Sequence, residues 1–219
     1  MRHLVVFDVD GTLTRTVEVD GRCYAQALGE ELGAPVETDW SRYRSATDTG
    51  IAAEAFERRH GRRPRAEEMA ALRRRFLRLL RSSGEAVREV PGAAALLRAL
   101  RARPDVAVAV ATGCWRASAH WKLRRAGIPV EGVPIATADD APAREEILRT
   151  AMRRAGRFGR ATYVGDRPWD LVASRAAGLA FVGIECDGDG QPLRAAGASV
   201  LLPDFRDLPG FLAALGLQG

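Results

Sequence analysis

The sequence predicts an α/β fold, a doubly wound parallel sheet interrupted once by an all-helical insert. Three observations lead there. Continuous apolar runs at residues 4–7, 106–111 and 161–164 are spaced by helical patterns from residue 91 onward, as expected of parallel strands covered on both faces. After the first run, roughly 70 residues show helical periodicity and no strand pattern. Each of the three runs also ends in Gly, Thr or Asp, and an open α/β sheet gathers its ligand groups at strand carboxyl ends.

Taken in order, residues 4–7 form a buried strand stopped at Gly11. Residues 23–32 carry helically spaced apolar positions and close at Gly33, a helix-stop signal. Residues 50–59 and 66–80 continue the helical block, the second with Met69, Leu72, Phe76, Leu79 and Leu80 on one stripe. Ser82-Ser83-Gly84 reads as the exit hinge. Pro91-Gly92 opens a helix running to Leu100, with Leu96, Leu97 and Leu100 on one side. The strand at 106–111 leads into a helix over 115–126, stopped by Gly127. A short strand at 133–137 and a helix at 143–154 follow. Then come a strand at 161–164, a helix at 170–177, strands at 181–184 and 199–202, and a last helix at 208–215. This assigns residues 1–15 and 85–219 to the α/β core and 16–84 to the helical domain.

At 219 residues the chain can bury a full core. It shows no apolar stretch approaching the ~20 residues of a membrane span and no signal-peptide pattern. Cys23, Cys114 and Cys186 are odd in number and widely scattered, which points to reduced thiols and a cytoplasmic location. The net charge of +5 raises the question of a nucleic-acid partner. Lys122 is the single lysine among 33 basic residues, so the balance reflects a chain-wide preference for arginine. The clusters Arg58-Arg59, Arg62-Arg63 and Arg73-Arg74-Arg75 lie in predicted helices and read as a solvated face. Aromatic content of 6% supplies little for base stacking. Nothing in the sequence fixes an oligomeric state.

The chemistry concentrates at the first strand, in Phe7-Asp8-Val9-Asp10-Gly11-Thr12. Carboxylates one residue apart on an extended segment project to the same side and repel. A hard divalent cation relieves this, Mg²⁺ being usual where one or two carboxylates meet a phosphate. One carboxylate can then attack an electrophile while the other handles a proton. The second strand delivers Thr112-Gly113 and the third Gly165-Asp166, with Asp170 one helical turn on.

Asp-Val-Asp-Gly-Thr after an N-terminal apolar strand, a Thr after the second strand, a basic residue and Gly-Asp-x-x-x-Asp together resemble, in order, the motifs of the haloacid dehalogenase-like (HAD) hydrolases of phosphatase type. The resemblance implies a Rossmann-like core with a small helical cap inserted after the first motif, closing over the site. It implies a Mg²⁺-dependent phosphomonoester hydrolase acting on a small phosphorylated metabolite. Asp8 would be the nucleophile, forming an aspartyl-phosphate. Asp10 would be the general acid/base, its backbone carbonyl also a metal ligand. Asp166 would complete the metal shell with Asp8, and Asp170 would orient a metal-bound water. Thr112 and the Gly113 amide would hold phosphate oxygens, aided by the dipole of the following helix.

The chain departs from the family at the basic residue, normally lysine, where Arg144 stands. Lys122 is the rival, though about two turns into its helix and a long reach from the site. In the cap, Thr47 or Asp48 faces substrate, or else Asp48 or Thr49 caps the next helix. Trp115 and Arg116 are candidates at the mouth, while Trp169 reads as packing. A Cys114 nucleophile would need a histidine partner that His3, His60 and His120 are not placed to supply. A dehalogenase would lack Asp10 and a phosphonatase would carry a cap lysine. A phosphomutase, and a non-catalytic nucleic-acid-associated protein using the basic surface, stand as the alternatives.

Overall fold

The computed structural model describes residues 1–185 and 190–217; Cys186 lies outside them. The chain runs β1 (His3–Phe7), α1 (Val17–Leu32), a 3₁₀ turn at Trp40–Arg42, α2 (Asp48–His60), α3 (Ala66–Ser82), α4 (Ala93–Ala102), β2 (Val106–Ala111), α5 (Arg116–Arg125) and β3 (Ile135–Ala136). It continues through α6 (Arg144–Ala155), β4 (Arg160–Gly165), α7 (Pro168–Ala176), β5 (Ala180–Ile184), α8 (Gln191–Ala195), β6 (Leu201–Leu202) and α9 (Leu208–Ala214). The strands form one six-stranded sheet in the order β3-β2-β1-β4-β5-β6, each described pairing parallel. This is the doubly wound α/β architecture that the alternating pattern predicts.

The strands read as unbroken apolar runs because both sheet faces are buried. Along β1, Leu4 and Val6 join one hydrophobic cluster and Val5 and Phe7 the other, as period-two alternation requires. The Val5 side packs under Leu96, Leu97 and Leu100 of α4 and Phe211 of α9, with Phe7 stacked 6.2 Å from Phe211. The Leu4 side packs under Ile147 and Leu148 of α6 and runs on into the helical insert through Tyr24, Phe56, Leu72 and Phe76. Each such fully buried side chain contributes about 1.5–3 kcal/mol.

The insert leaves and returns side by side. Thr14 bridges Glu89, Arg15 N–H donates to the Arg88 carbonyl (2.9 Å), and Val90 N–H to the Leu13 carbonyl (3.0 Å). Helix α1 begins at Val17, six residues before the expected start, because Val19 continues the buried stripe of Cys23, Ala27 and Leu28 across polar Asp20 and Gly21. The helix after Pro91 starts later than expected, at Ala93, with Gly92 as its left-handed cap. The third strand keeps only two residues of the expected five, and the helix α8 carries no periodic signal long enough to read. The arginine clusters of the insert are paired with acids: Arg58 with Glu54, Arg62 with Glu68, Arg63 with Glu57 and Arg73 with Asp139.

Candidate active site

In this strand order the topological switch falls between β1 and β4, and the crevice at their carboxyl ends holds Asp8 and Asp166. The turn that carries Asp8 and Asp10 depends on Gly11. Its φ of +75° is left-handed, and a Cβ there would lie 2.1 Å from Asp166 Oδ2, so glycine lets the two loops close on each other. Asp8, Asp166 and Asp170 bring carboxylate oxygens within 4.8 Å of one another. A cavity of about 100 Å³ opens above them, lined from the core by Asp8, Asp10, Thr112, Gly113, Arg144 and Asp166.

Arg144, first residue of α6, enters this cluster. Its guanidinium lies 2.9 Å from Asp170 and 3.4 Å from Asp8, and donates to the Ala46 carbonyl of the insert at 2.8 Å. A Cβ on Gly113 would meet Arg144 Nη2 at 2.5 Å, so this glycine lets the guanidinium lie against the loop after β2. Asp170 Oδ2 accepts from the backbone amides of Asp166 and Arg167 (3.2 and 3.0 Å), and Oδ1 from the Tyr163 hydroxyl (3.2 Å). Asp170 thus fastens the β4–α7 loop and anchors Arg144. Tyr163, buried on β4, is a site residue that sequence reasoning missed; its signal was a hydroxyl-bearing ring inside an apolar strand.

Burial, with the neighbouring Asp170 carboxylate, pushes Asp8 up to about 7 against the opposing pull of Arg144. Asp166 is raised well above the carboxylate range for the same reasons, burial first and Asp170 next. Its Oδ1 is buried without a hydrogen-bond partner among the described residues. Two buried carboxylates and a partly buried third, one orphaned oxygen and hard oxygen donors throughout fit a divalent cation, with Asp8 and Asp166 the residues to hold it.

Asp10 sits in a second cluster. Lys122 Nζ lies 2.5 Å from both Asp10 Oδ2 and Asp20 Oδ1 and 3.1 Å from Cys114 Sγ, and is fully buried. Thr16 donates to the other Asp10 oxygen. The expected long reach of Lys122 is therefore wrong for Asp10: residue 122 of α5 faces inward and its stem spans the gap. Burial alone would raise Asp10, but Lys122 and the hydrogen bonds of Cys114 and Thr16 outweigh it and hold the carboxyl low. Asp20 is pushed up to about 6, burial prevailing over Lys122. Among the described residues this Asp10–Asp20–Cys114 group already contains its own cation. Burial lifts the Cys114 thiol well above its ordinary value, and His3 is engaged with Thr162 at 2.8 Å.

Thr47 and Asp48 do line the cavity. The helix cap is Thr47, whose Oγ1 accepts from Gly50 N–H, rather than Asp48 or Thr49. Asp48 instead reaches the core: its amide donates to the Gly113 carbonyl (2.8 Å) and its Oδ2 accepts from Trp115 N–H (2.7 Å). Arg116 N–H in turn donates to Asp139 (2.6 Å). The first amides of α5 thus face these two carboxylates, which corrects the expectation that this helix lends its dipole to a phosphate at Thr112-Gly113. Trp115 is buried against Tyr24 and Phe76 and donates to Thr49, and Arg116 pairs with Asp140. Neither stands at the mouth. Trp169, expected to be packing, lines the cavity.

The chain's similarities agree with this geometry. A family model for haloacid dehalogenase-like hydrolases matches residues 3–178. A phosphoglycolate phosphatase from Rhodospirillum rubrum is 28% identical over 97% of this chain and 91% of its own. The crystal structure of a hydrolase from Pseudomonas syringae superposes with a TM-score of 0.77 at 23% identity, covering 96% of this chain and 97% of that one. CbbY from Rhodobacter sphaeroides, solved in complex with phosphate, superposes with a TM-score of 0.74 at 26% identity over 99% of this chain and all of its own.

Proposed function

We propose, from the premise that the chain belongs to the haloacid dehalogenase-like hydrolase family and is a phosphatase of that family, that it is a Mg²⁺-dependent phosphomonoesterase acting on a small phosphorylated metabolite through an aspartyl-phosphate on Asp8. In this reading residues 1–15 and 85–219 are the catalytic core and 16–84 the cap. The phosphoglycolate named for the R. rubrum relative indicates the size class of substrate. The observation that carries the reading is the three-carboxylate cluster with its orphaned Asp166 oxygen, set beside Arg144 at the floor of a half-open cavity.

When bound between Asp8 and Asp166, Mg²⁺ would supply the positive charge that lets an anionic nucleophile approach a phosphate. Asp10 would add its backbone carbonyl to the residues that hold it, and Asp170 would orient groups around it. Asp8 attacks phosphorus and the bond from phosphorus to the alcohol oxygen breaks. The fraction of Asp10 that carries a proton protonates the departing alcohol, and the carboxylate so formed, which Lys122 favours, takes a proton from the water that releases phosphate from Asp8. The nucleophile splits one difficult displacement into two. Arg144, Thr112 and the Gly113 amide hold the phosphoryl oxygens, the guanidinium matching them as a fork. Lys122 serves Asp10 and not the phosphate. Asp48 and Arg144 are each bonded across the boundary between insert and core, Asp48 to the Gly113 carbonyl and Arg144 to the Ala46 carbonyl, and so hold the insert over the site. A cytoplasmic location accords with Cys23 and Cys114 as free, buried thiols, and among the described residues no helix is long and apolar enough to cross a membrane.

The test is hydrolysis of p-nitrophenyl phosphate with and without Mg²⁺ for the wild type and Asp8→Asn. Metal-dependent turnover that vanishes in a folded Asp8→Asn is expected. Turnover that survives the substitution, or that ignores chelation, refutes the assignment.

A further inference from the structure

Given the phosphatase reading, on which this inference rests, the part of the cavity beyond the phosphate contacts determines the leaving alcohol. Its walls are Asp20, Tyr24, Trp40, Asp48 and Ile51 from the insert and Trp169 from α7. The volume of about 100 Å³ favours compact alcohols, while the open side of the cavity leaves larger ones room to project. The Tyr24 hydroxyl is spent on the Asp48 carbonyl, and its ring meets Trp40 edge-on at 5.7 Å. The chamber therefore offers aromatic and aliphatic surface together with two carboxylates.

Its cations are already engaged. Arg144 is given to the phosphate in this reading and is steadied there by Asp170, Asp8 and the Ala46 carbonyl. Arg167, the other guanidinium on the lining, lies 2.9 Å from Asp166. Lys122 is sealed beneath Asp10 and Asp20. An anionic group on the leaving alcohol would meet the charge of Asp20, since burial raises the Asp48 carboxyl well above the usual carboxylate range, and would find no uncommitted cation among the described residues. Like charges brought together in a dehydrated site oppose binding, whereas a hydroxyl or an ammonium can hydrogen-bond to a carboxylate and pack on the aromatic faces.

We propose that the enzyme is selective for phosphomonoesters of short alcohols that are uncharged or cationic, and that Asp20, held at the chamber wall by Lys122, excludes those bearing a carboxylate.

Three probes of matched length test this: 2-hydroxyethyl phosphate, phosphoethanolamine and phosphoglycolate, each assayed by phosphate release in Mg²⁺ beside p-nitrophenyl phosphate. The expected kcat/KM for phosphoglycolate is at least about 100-fold below that for 2-hydroxyethyl phosphate, with phosphoethanolamine equal to or above the neutral ester. In Asp20→Asn, checked for native circular dichroism, the carboxylate penalty should shrink about tenfold. Phosphoglycolate turned over as well as 2-hydroxyethyl phosphate overturns the selectivity while leaving the phosphatase intact. Aryl phosphate turnover with all three small esters idle overturns the substrate class. An unchanged gap in Asp20→Asn overturns the role given to Asp20. Failure of all four probes with the Mg²⁺-loaded wild type overturns the phosphatase reading itself.

Discussion

Lys122→Met is the substitution from which the structure predicts most. The ammonium is fully buried, 2.5 Å from carboxylates of both the core and the insert. Methionine keeps much of the stem's volume and removes only the charge. Deleting one partner of a buried ion pair costs about 3–5 kcal/mol, because the remaining charge stays desolvated. In a chain of this length each kcal/mol moves Tm by roughly 2–4 °C, so a fall of about 6–20 °C is expected at neutral pH.

The loss should also depend on pH. Without the ammonium, Asp10 and Asp20 have native pKa values above their unfolded ones. A group raised in this way gives its full stability below the unfolded pKa and loses it as pH climbs through the folded value. The deficit of Lys122→Met against wild type should thus be complete at pH 7 and shrink toward pH ~4, the ordinary carboxylate value. Adding Asp20→Asn removes one of the stranded charges and should restore at least about 1 kcal/mol, read as coupling in a double-mutant cycle. Urea unfolding of the four proteins at several pH values measures all of this. A loss under about 1 kcal/mol at pH 7, or a deficit that does not change with pH, would refute the buried-triad account.

Other substitutions separate the remaining parts. Arg144→Ala removes the phosphate fork and leaves Asp170 without its guanidinium, so KM should rise and kcat fall, with about 10²–10³ lost overall in steady-state kinetics; near wild-type constants would remove Arg144 from the site. Gly11→Ala forces a Cβ to 2.1 Å from Asp166 Oδ2 in a left-handed backbone, which costs about 1–2 kcal/mol in urea unfolding and displaces Asp166. The Mg²⁺ concentration for half-maximal activity should therefore rise several-fold. Asp140 is drawn down to about 2, chiefly by the hydrogen bonds of Arg154. A depressed carboxyl gives stability above its unfolded pKa and loses it as pH falls toward the folded value. Between pH ~4 and ~2 the wild type should lose Tm more steeply than Asp140→Asn, as followed by circular dichroism.

What was legible in the sequence follows from which forces are local. The β2 strand was read to its observed ends because six apolar residues between Asp105 and Thr112 admit one reading. The order of reactive strand ends was equally plain. The two tryptophans beside site residues were assigned the wrong way round, Trp115 to the mouth and Trp169 to packing, because sequence tells a ring's neighbours but not which way its helix turns it. Asp20 was invisible for a deeper reason. It looks like an ordinary first-turn acid, and its partner Lys122 lies 102 residues away. Only the docking of insert on core joins them. The scarcity of lysine was the one available hint, and it pointed to the right residue for the wrong contact.

The central place of β1 bears on how this protein is made. His3 pairs with Val106 on one side and with Arg160 on the other, so the first strand of this sequence has no neighbour until about half of the residues have been made. Helices α1 to α3 can form earlier from contacts close in sequence, while the sheet must wait for pairings across 100 residues and more. During that interval the apolar strand before Asp8 is an open edge, a template for mispairing with other chains. Asp8 therefore gains its neighbour Asp166 only once β4 docks. A chain released before Asp166 is synthesised carries the signature motif, Thr112, Gly113 and Arg144, but lacks the Asp166 and Asp170 carboxylates that gather beside Asp8.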